Sequence, residues 1–321
     1  MLRRKFGKIP TDVSVVGFGG GSISGEGGGY GFGAISEQQS IDLVRQSLEA
    51  GINLFDTAPI YGFGESERRL GKALRDKRDQ VFVISKSGVT WDDNKRVFKS
   101  NDVKVTTAML EQSLRDLAMD VIDLYMIHWP DEMVDIRKPM EVLVRAKEEG
   151  KIKHIGLCNS YPDDIAKAQE IAPVEVLQNE YNLFSRSYVE NELLPLVRAY
   201  AMGFMSYGTL DKGLLTGRVT KERKFDEHDA RSKAPWWKKA DREPKYRAME
   251  QIMPLLTENH HTGLQLALSF VLRREELSTA LCGVKSLEQL ETATAAVHNL
   301  VPDHILEQAL RIAADEVKDG E

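Results

Sequence analysis

Short apolar runs alternate with longer amphipathic stretches along most of the chain. Eight runs of four to six residues are mainly apolar, and they lie at residues 13–18, 52–55, 81–85, 122–127, 154–158, 174–178, 203–206 and 279–282. Apolar runs of this length are typical of strands that are buried on both faces, as in a parallel sheet. The pattern therefore predicts eight buried strands.

The stretches between these runs have the apolar spacing of helices. In the first stretch Ile41, Val44 and Leu48 fall on one helical face, Ser36 can cap the helix start, and Gly51 follows as a stop. The same reasoning predicts helices at residues 37–50, 66–75, 104–119, 138–149, 162–171, 189–202 and 262–274, and two more after the last strand at 288–297 and 303–317.

Eight strands interleaved with helices indicate a (β/α)8 barrel, or TIM barrel, a fold of about 250 residues. The alternative is a doubly wound open sheet, which usually carries a G-x-G-x-x-G sequence after its first strand when it binds a dinucleotide. Neither that sequence nor a G-x-x-x-x-G-K-[ST] phosphate loop occurs in the chain. With no repeat or linker visible, we predict one domain over residues 1–321.

Three segments exceed the plan of a simple barrel. A glycine-rich loop (residues 19–35) follows the first strand, and a long charged loop (208–243) follows the seventh. The two predicted C-terminal helices are the third. Ten of the 25 glycines lie between Gly17 and Gly33, where they allow positive φ and close backbone approach.

Composition narrows the class of protein further. The chain has 321 residues, of which 42% are hydrophobic and 29% charged. Its net charge is −6, whereas proteins that bind nucleic acids usually carry an excess of basic residues. No apolar run approaches the ~20 residues of a membrane helix, and the basic N-terminus lacks the apolar stretch of a signal peptide. Cys158 and Cys282 have apolar neighbours and the histidines are scattered, so we expect buried thiols, a cytoplasmic location and no metal site.

Polar residues follow three consecutive predicted strands. Asp56, Lys86 and His128 come directly after the second, third and fourth runs, and Tyr61 lies five residues beyond Asp56. In a (β/α)8 barrel the functional groups stand at the carboxyl ends of the strands. A carboxylate, an ammonium, an imidazole and a phenol are therefore expected to meet at one mouth.

These residues resemble the signatures of the aldo-keto reductase family. Residues 56–62, D-T-A-P-I-Y-G, are similar to the family's D-T-A-x-x-Y-G, and Lys86 and His128 fall in its other two tetrad positions. Residues 154–159 and 178–182 resemble two further family motifs, I-G-V-S-N and Q-x-E-Y-N. The resemblance covers almost the whole chain. It implies an enzyme that uses NADPH to reduce a small aldehyde or ketone. A sugar with a free carbonyl group is one possible substrate.

The tetrad has a coherent chemical interpretation. Tyr61 would donate the proton that the developing alkoxide needs, although a free phenol has a pKa of about 10. The ammonium of Lys86 is expected to lower that pKa, and Asp56 to hold Lys86 charged and in place. His128 would hydrogen-bond the carbonyl oxygen and orient it.

The resemblance also assigns the cofactor contacts. It sets Gly20 and Gly21 beside the nicotinamide, Asn159 and Gln178 on its carboxamide, and Tyr207 against its ring. The residues assigned to the pyrophosphate path are Gly208, Thr209, Leu210 and Gly213. Further cofactor contacts are assigned to the start of the helix after the last strand, at Gly283, Lys285, Ser286 and Gln289. Lys285 and Ser286 would hold the adenosine 2′-phosphate at this anion-favouring helix terminus, which predicts NADPH rather than NADH.

The chain departs from the family at two cofactor positions. The family's serine in the first of the two further motifs is Cys158 here, which costs one hydrogen bond to the carboxamide. The family's Glu-Asn pair after the last strand is Thr292 and Ala293, which puts the usual adenine contacts in doubt.

The substrate contacts are assigned to loop aromatics: Tyr30, Phe32, Trp129, Trp236 and Trp237. Residues 25–33 are interpreted as a mobile flap over the substrate, with a phosphate cradle as the alternative. The loop after the seventh strand is interpreted as a clamp over the cofactor phosphates or as a solvated excursion. Two other functions stay open: a nucleotide-binding regulatory subunit similar to potassium-channel β-subunits, and an NADP-dependent sugar or polyol dehydrogenase.

Overall fold

The computed structural model describes residues 1–26 and 28–317. Eight parallel strands close into a barrel in chain order, and the last strand pairs with the first. We number them β1 (Val16–Gly19), β2 (Leu54–Asp56), β3 (Phe82–Ser87), β4 (Ile122–Ile127), β5 (Ile152–Cys158), β6 (Val176–Glu180), β7 (Gly203–Tyr207) and β8 (Leu277–Cys282). The predicted (β/α)8 barrel is confirmed.

Helices surround the barrel, and two more segments extend it at the C-terminus. In chain order the α-helices are α1 (Glu37–Glu49), α2 (Glu65–Leu74), α3 (Val103–Leu117), α4 (Arg137–Glu148), α5 (Pro162–Ile171), α6 (Leu194–Tyr200), α7 (Ala230–Lys233), α8 (Pro235–Lys238), α9 (Glu243–Glu258), α10 (Gly263–Leu272), α11 (Leu287–Ala296) and α12 (Asp303–Glu316). The predicted cap of α1 is present, since Ser36 accepts a hydrogen bond from the Gln39 amide. Gly51 ends that segment with a φ of 90°.

An N-terminal hairpin closes the bottom of the barrel. Its strands are Arg3–Phe6 and Ile9–Ser14, and the buried Phe6 ring meets that of Phe82 edge to face at 5.4 Å. The first predicted strand, 13–18, was therefore wrong in its bounds, because it spans the end of the hairpin and the start of β1. Apolarity continues through the boundary, where the Ser14 hydroxyl donates to the Val16 carbonyl at 2.7 Å.

The structure corrects two further segments. The helix predicted over 189–202 begins as a π-helical turn, Val189–Leu193, and becomes α-helical at Leu194, next to a proline that lacks an amide donor. The loop after β7, predicted only as a long charged connection, holds a 3-10 segment, Asp211–Thr216, followed by α7 and α8.

A long helix and a second hairpin are among the elements that were not predicted. Helix α9 follows the β7 loop, although Met249, Ile252 and Leu256 have helical spacing and are buried. A short hairpin, Val89–Trp91 with Val97–Lys99, follows β3 at the catalytic end of the barrel. The hairpin alternates too briefly to be distinguished from a loop in the sequence.

Candidate active site

Asp56 and Lys86 form a buried ion pair at neighbouring strand ends. Asp56 ends β2, Lys86 lies one residue before the end of β3, and these strands are paired in the barrel. The Lys86 Nζ lies 2.7 Å from both carboxylate oxygens of Asp56 and 3.0 Å from the Thr57 carbonyl oxygen. Lys86 is 0% exposed and Asp56 3%, so each charge depends on the other in place of water.

Tyr61 and His128 lie against this pair. The Lys86 Nζ is 5.6 Å from the centroid of the Tyr61 ring. The Tyr61 and His128 rings meet edge to face, with centroids 5.9 Å apart and an interplanar angle of 90°. His128 directly follows β4, and its amide donates to the Ser87 carbonyl at 2.7 Å. The structure thus brings the four residues predicted as catalytic into one cluster.

The protonation states differ from the sequence-based expectation. Burial, with a smaller contribution from the Asp56 carboxylate, raises the pKa of Tyr61 well above 10.0. The predicted lowering by Lys86 was wrong, because the cost of burying a phenolate, to which the Asp56 carboxylate adds, outweighs the attraction of the ammonium. Burial, and then the charge of Lys86, lowers the pKa of His128 well below 6.5. Near neutral pH the site therefore holds a protonated phenol and a neutral imidazole.

The two amides assigned to the carboxamide have different partners. The Gln178 Nε2 donates to an Asp56 carboxylate oxygen at 2.9 Å, so Gln178 buttresses the ion pair. Asn159, with a positive φ of 52°, donates to the His128 carbonyl at 2.9 Å and accepts from the Tyr207 hydroxyl at 2.6 Å. The Cys158 thiol donates to the Gln178 Oε1 at 3.4 Å. Cys158, which stands at the position of the family's serine, therefore takes part in this polar layer.

The glycines after β1 run beside the tetrad. A Cβ added to Gly20 would lie 2.7 Å from the Asp56 carbonyl oxygen, so only glycine fits there. At Gly21 the nearest atom to such a Cβ is on the Phe32 ring, 3.7 Å away, which leaves its surface open. Further on, Gly29 pairs with Tyr61 in an antiparallel bridge, so the glycine loop lies directly on the Tyr61 backbone. Residue 27 of this loop is outside the described residues.

The residues assigned to the pyrophosphate path follow β7. Gly208 and Gly213 have positive φ values of 61° and 99°, which bend the chain sharply at this point. The Thr209 side chain is buried and its hydroxyl donates to the Leu281 carbonyl at 3.1 Å, so it joins β7 to β8. Leu210 packs partly against the core. The Thr209 side chain therefore does not reach the surface of the mouth.

The start of α11 has the features of an anion site. The Ser286 hydroxyl accepts from the Gln289 amide at 3.2 Å, and the Gln289 side chain accepts from the Lys285 amide at 2.9 Å. The Lys285 Nζ donates to the Phe32 carbonyl at 2.7 Å, which joins the helix start to the glycine loop. Burial lowers the pKa of Lys285. Gly283 is exposed next to the turn at Gly20–Ile23, where a Cβ added to it would lie 3.3 Å from the Ser22 Cβ.

The aromatics assigned to the substrate divide into two groups. Tyr30 stacks on Trp236, with centroids 6.4 Å apart, and this pair joins the glycine loop to the β7 loop. Trp129 is 40% exposed beside His128. Trp237 does not line the mouth, because it is 7% exposed inside the β7 loop's own apolar cluster, with the Arg242 guanidinium 4.0 Å from its ring centroid.

The two long loops are also joined by their backbones. Phe32 pairs with Asp229, and the Ala230 amide donates to the Gly31 carbonyl at 2.9 Å. Arg231 holds Asp229 through two hydrogen bonds of 2.9 and 2.7 Å, and its guanidinium lies 5.4 Å from the centroid of the Phe32 ring. The β7 loop is therefore anchored at the mouth, unlike a solvated excursion.

Sequence reasoning missed an aromatic contact at Tyr61. Phe63, whose positive φ of 53° is rare for a bulky residue, meets Trp91 of the unpredicted hairpin at 4.9 Å between centroids. Both rings pack in one apolar cluster with Tyr61. Phe63 could have been noticed between Gly62, the last residue of the family motif, and Gly64, whereas nothing in the sequence around Trp91 indicated its position.

Within the part of the chain that the structure describes, no helix is both long and apolar enough to cross a membrane. In residues 1–26 and 28–317 no group of three or more His, Cys, Asp or Glu side chains could hold a metal ion.

A (β/α)8 barrel with a lysine–aspartate pair, a tyrosine and a histidine at its mouth defines a class of oxidoreductases. The model of the aldo/keto reductase family matches residues 15–309, and the chain belongs to this family. It is 36% identical to the aldo-keto reductase YhdN of Bacillus subtilis (strain 168) over 267 residues, which cover 82% of this chain and 80% of that protein.

Two further relatives have named activities. The NADH-specific methylglyoxal reductase of Escherichia coli (strain K12) is 33% identical over 307 residues, which cover 91% of this chain and 93% of that one. Among solved structures, the glycerol dehydrogenase AKR11B4 from Gluconobacter oxydans superposes with a TM-score of 0.85 at 29% identity, covering 99% of this chain and 97% of that chain.

Proposed function

We propose that this protein reduces a small aldehyde or ketone to the alcohol, with NADPH as the preferred cofactor. The observation that carries the proposal is the cluster at the mouth, where Tyr61 and His128 adjoin the buried pair of Lys86 and Asp56. A bound reduced nicotinamide would supply the hydride. The protein's own residues must then orient the carbonyl group and deliver one proton.

Tyr61 suits the role of proton donor. Burial raises its pKa, so its hydroxyl keeps its proton at any physiological pH and can donate it as the alkoxide forms. Lys86 stabilises the tyrosinate that is left, and Asp56 keeps Lys86 in place. His128 is neutral, so it hydrogen-bonds the carbonyl oxygen without competing as an acid.

The residues beside the cluster fit a nicotinamide cofactor. Gly21 leaves an open surface next to the tetrad, and the Asn159–Tyr207 pair presents an amide and a phenol at the mouth. Lys285 presents a half-buried ammonium at the start of α11, where the helix terminus also favours an anion. These residues would hold the nicotinamide and a phosphate group, respectively.

The preference for NADPH rests on Lys285. A cation there suits the adenosine 2′-phosphate, which NADH lacks. The methylglyoxal reductase among the relatives is NADH-specific by name, so membership of the family leaves the cofactor open. We therefore propose NADPH on the charge at this position alone.

A direct assay is the oxidation of NADPH with a panel of aldehydes that includes methylglyoxal. We expect turnover by the wild type and its loss in Tyr61→Phe, with cofactor affinity retained. Tight NADPH binding without turnover of any substrate would instead favour a regulatory role. Near-normal turnover by Tyr61→Phe would refute Tyr61 as the acid.

The reverse reaction is the second candidate, because the related solved structure is a glycerol dehydrogenase. The same cluster can serve it, with Tyr61 accepting the alcohol proton. Reduction of NADP⁺ in the presence of glycerol would reveal this direction. If the ratio of kcat/KM values favours glycerol oxidation over aldehyde reduction at pH 7, the dehydrogenase assignment replaces the reductase assignment.

A further inference from the structure

The start of α2 has an unusual set of partners. Its first residue is Glu65, and Gly64 before it has a φ of 87° and no side chain to cap the helix. The free amides of the first turn therefore need other acceptors. The Ser66 amide finds one in the Tyr61 carbonyl at 3.1 Å, so the helix start is bonded to the backbone of the proposed acid.

The Ser66 side chain joins two strand ends. Its hydroxyl donates to the Gly20 carbonyl at 2.8 Å, and its Oγ lies 2.8 Å from the Thr57 Oγ1. Gly20 follows β1, and Thr57 follows Asp56 at the end of β2. Ser66 and Thr57 are each 0% exposed, so water cannot replace these bonds. One buried hydroxyl thus ties the glycine turn and the Asp56 strand to the same helix.

The next residue joins the third strand. Glu67 is 0% exposed, and its Oε1 accepts from the Ser85 hydroxyl at 2.6 Å. Ser85 precedes Lys86 in β3, and their side chains point to opposite faces of the strand. Fixing Ser85 against α2 therefore fixes the strand from which Lys86 reaches Asp56.

We propose that Ser66 and Glu67 are positioning residues, and that the first turn of α2 sets the distance between Tyr61 and the Lys86–Asp56 pair. Neither side chain touches the reacting groups. Ser66 acts through the Tyr61 backbone and the ends of β1 and β2, and Glu67 acts through Ser85. The expected effect on turnover rests on the proposed reductase function, whereas the hydrogen bonds of Ser66 and Glu67 do not depend on that function.

The kinetic test compares Ser66→Ala with Ser66→Thr and Ser47→Ala in the reduction of methylglyoxal by NADPH. Ser47 is a matched control, because it is also 0% exposed but its hydroxyl donates only within α1, to the Leu43 carbonyl at 2.7 Å. A misplaced catalytic group can cost up to about a hundredfold in rate. We expect Ser66→Ala to lower kcat about tenfold or more with KM changed less than about twofold, and Ser66→Thr to restore most of the rate.

Glu67 is tested in parallel. Glu67→Gln keeps an acceptor for Ser85, whereas Glu67→Leu removes it, so only the leucine variant should lose kcat. Should Glu67→Leu fail to fold, Ser85→Ala removes the same tie at β3 with a smaller change. The proposal is overturned if Ser66→Ala and the variant that breaks the Ser85 tie both keep the wild-type kcat. It is also overturned if Ser47→Ala loses as much kcat as Ser66→Ala does.

Amide hydrogen exchange provides a readout without turnover. In Ser66→Ala we expect faster exchange in peptides spanning residues 57–64, and in Glu67→Leu in those spanning 82–87, while Ser47→Ala leaves both unchanged. If the wild type reduces no carbonyl compound, the proposed function fails, and the positioning role is decided by exchange alone. Unchanged exchange at both segments would then overturn it.

Discussion

Replacing Lys86 by methionine is expected to destabilise the protein strongly. The substitution keeps the side-chain volume but leaves the Asp56 carboxylate buried, with Gln178 as its remaining side-chain donor at 2.9 Å. Breaking a buried ion pair by removing one partner costs about 3–5 kcal/mol.

The expected change in melting temperature follows from the size of the chain. An unfolding entropy of about 2 cal/mol/K per residue gives roughly 0.7 kcal/mol/K for 321 residues. The melting temperature of Lys86→Met should therefore fall by about 4–7 °C, measured by calorimetry at pH 8. In the double variant Asp56→Asn, Lys86→Met both charges are gone, and much of the loss should be recovered.

The matched control is an exposed pair of the same type. Lys72 and Glu37 lie 2.8 Å apart with side chains 54% and 48% exposed. Removing such a pair costs about 0–1 kcal/mol, so Glu37→Gln should change the melting temperature by no more than about 2 °C. If Lys86→Met lowers it no more than Glu37→Gln does, the buried charge is not what holds these strand ends together.

Three further predictions concern other parts of the site. Burial raises the pKa of Glu67 to about 7, so protonation of Glu67 favours the folded state. Relative to Glu67→Gln, the wild type should lose up to about 3 kcal/mol of unfolding free energy as pH rises from about 4.5 to 7. A difference in unfolding free energy that does not change with pH would contradict this. Lys285→Ala should weaken NADPH binding at least about tenfold and NADH binding much less, in fluorescence titrations; an equal loss for both would remove Lys285 from the phosphate site. Trp236→Ala removes the stack on Tyr30 and should raise the KM for the aldehyde, whereas Trp237→Ala should chiefly lower thermal stability; the reverse pattern would contradict the division between the two tryptophans.

The sequence was sufficient for the barrel but not for its first boundary. Runs such as 122–127 coincide with a strand because both of its faces are buried. The run at 13–18 failed because the hairpin strand Ile9–Ser14 is also apolar where it closes the barrel, and periodicity cannot separate it from β1. Burial is common to both strands, so only the bend at Val15 separates them.

The tetrad could be predicted because Asp56, Lys86 and His128 lie at strand ends and Tyr61 follows Asp56 in the D-T-A-x-x-Y-G motif, whereas its electrostatics could not. Position at a strand end does not reveal how deeply a side chain is buried, and burial decides the direction of the pKa of Tyr61. The contact between Lys285 and Phe32 joins residues 253 positions apart in the sequence, so no local pattern could predict it. The glycine loop was recognised as a feature of the mouth, but its backbone pairing with Tyr61 and Asp229 emerges only from the fold.

A single-turnover experiment tests the central claim most directly. The protein is loaded with NADPH that carries deuterium at C4 of the dihydronicotinamide, mixed with methylglyoxal, and the product is analysed by mass spectrometry. We predict that the wild type transfers deuterium to the former carbonyl carbon and that Tyr61→Phe, with the cofactor bound as tightly, transfers it at least a hundredfold more slowly. Transfer at the same rate in both proteins would contradict the assignment of Tyr61 as the proton donor at this site.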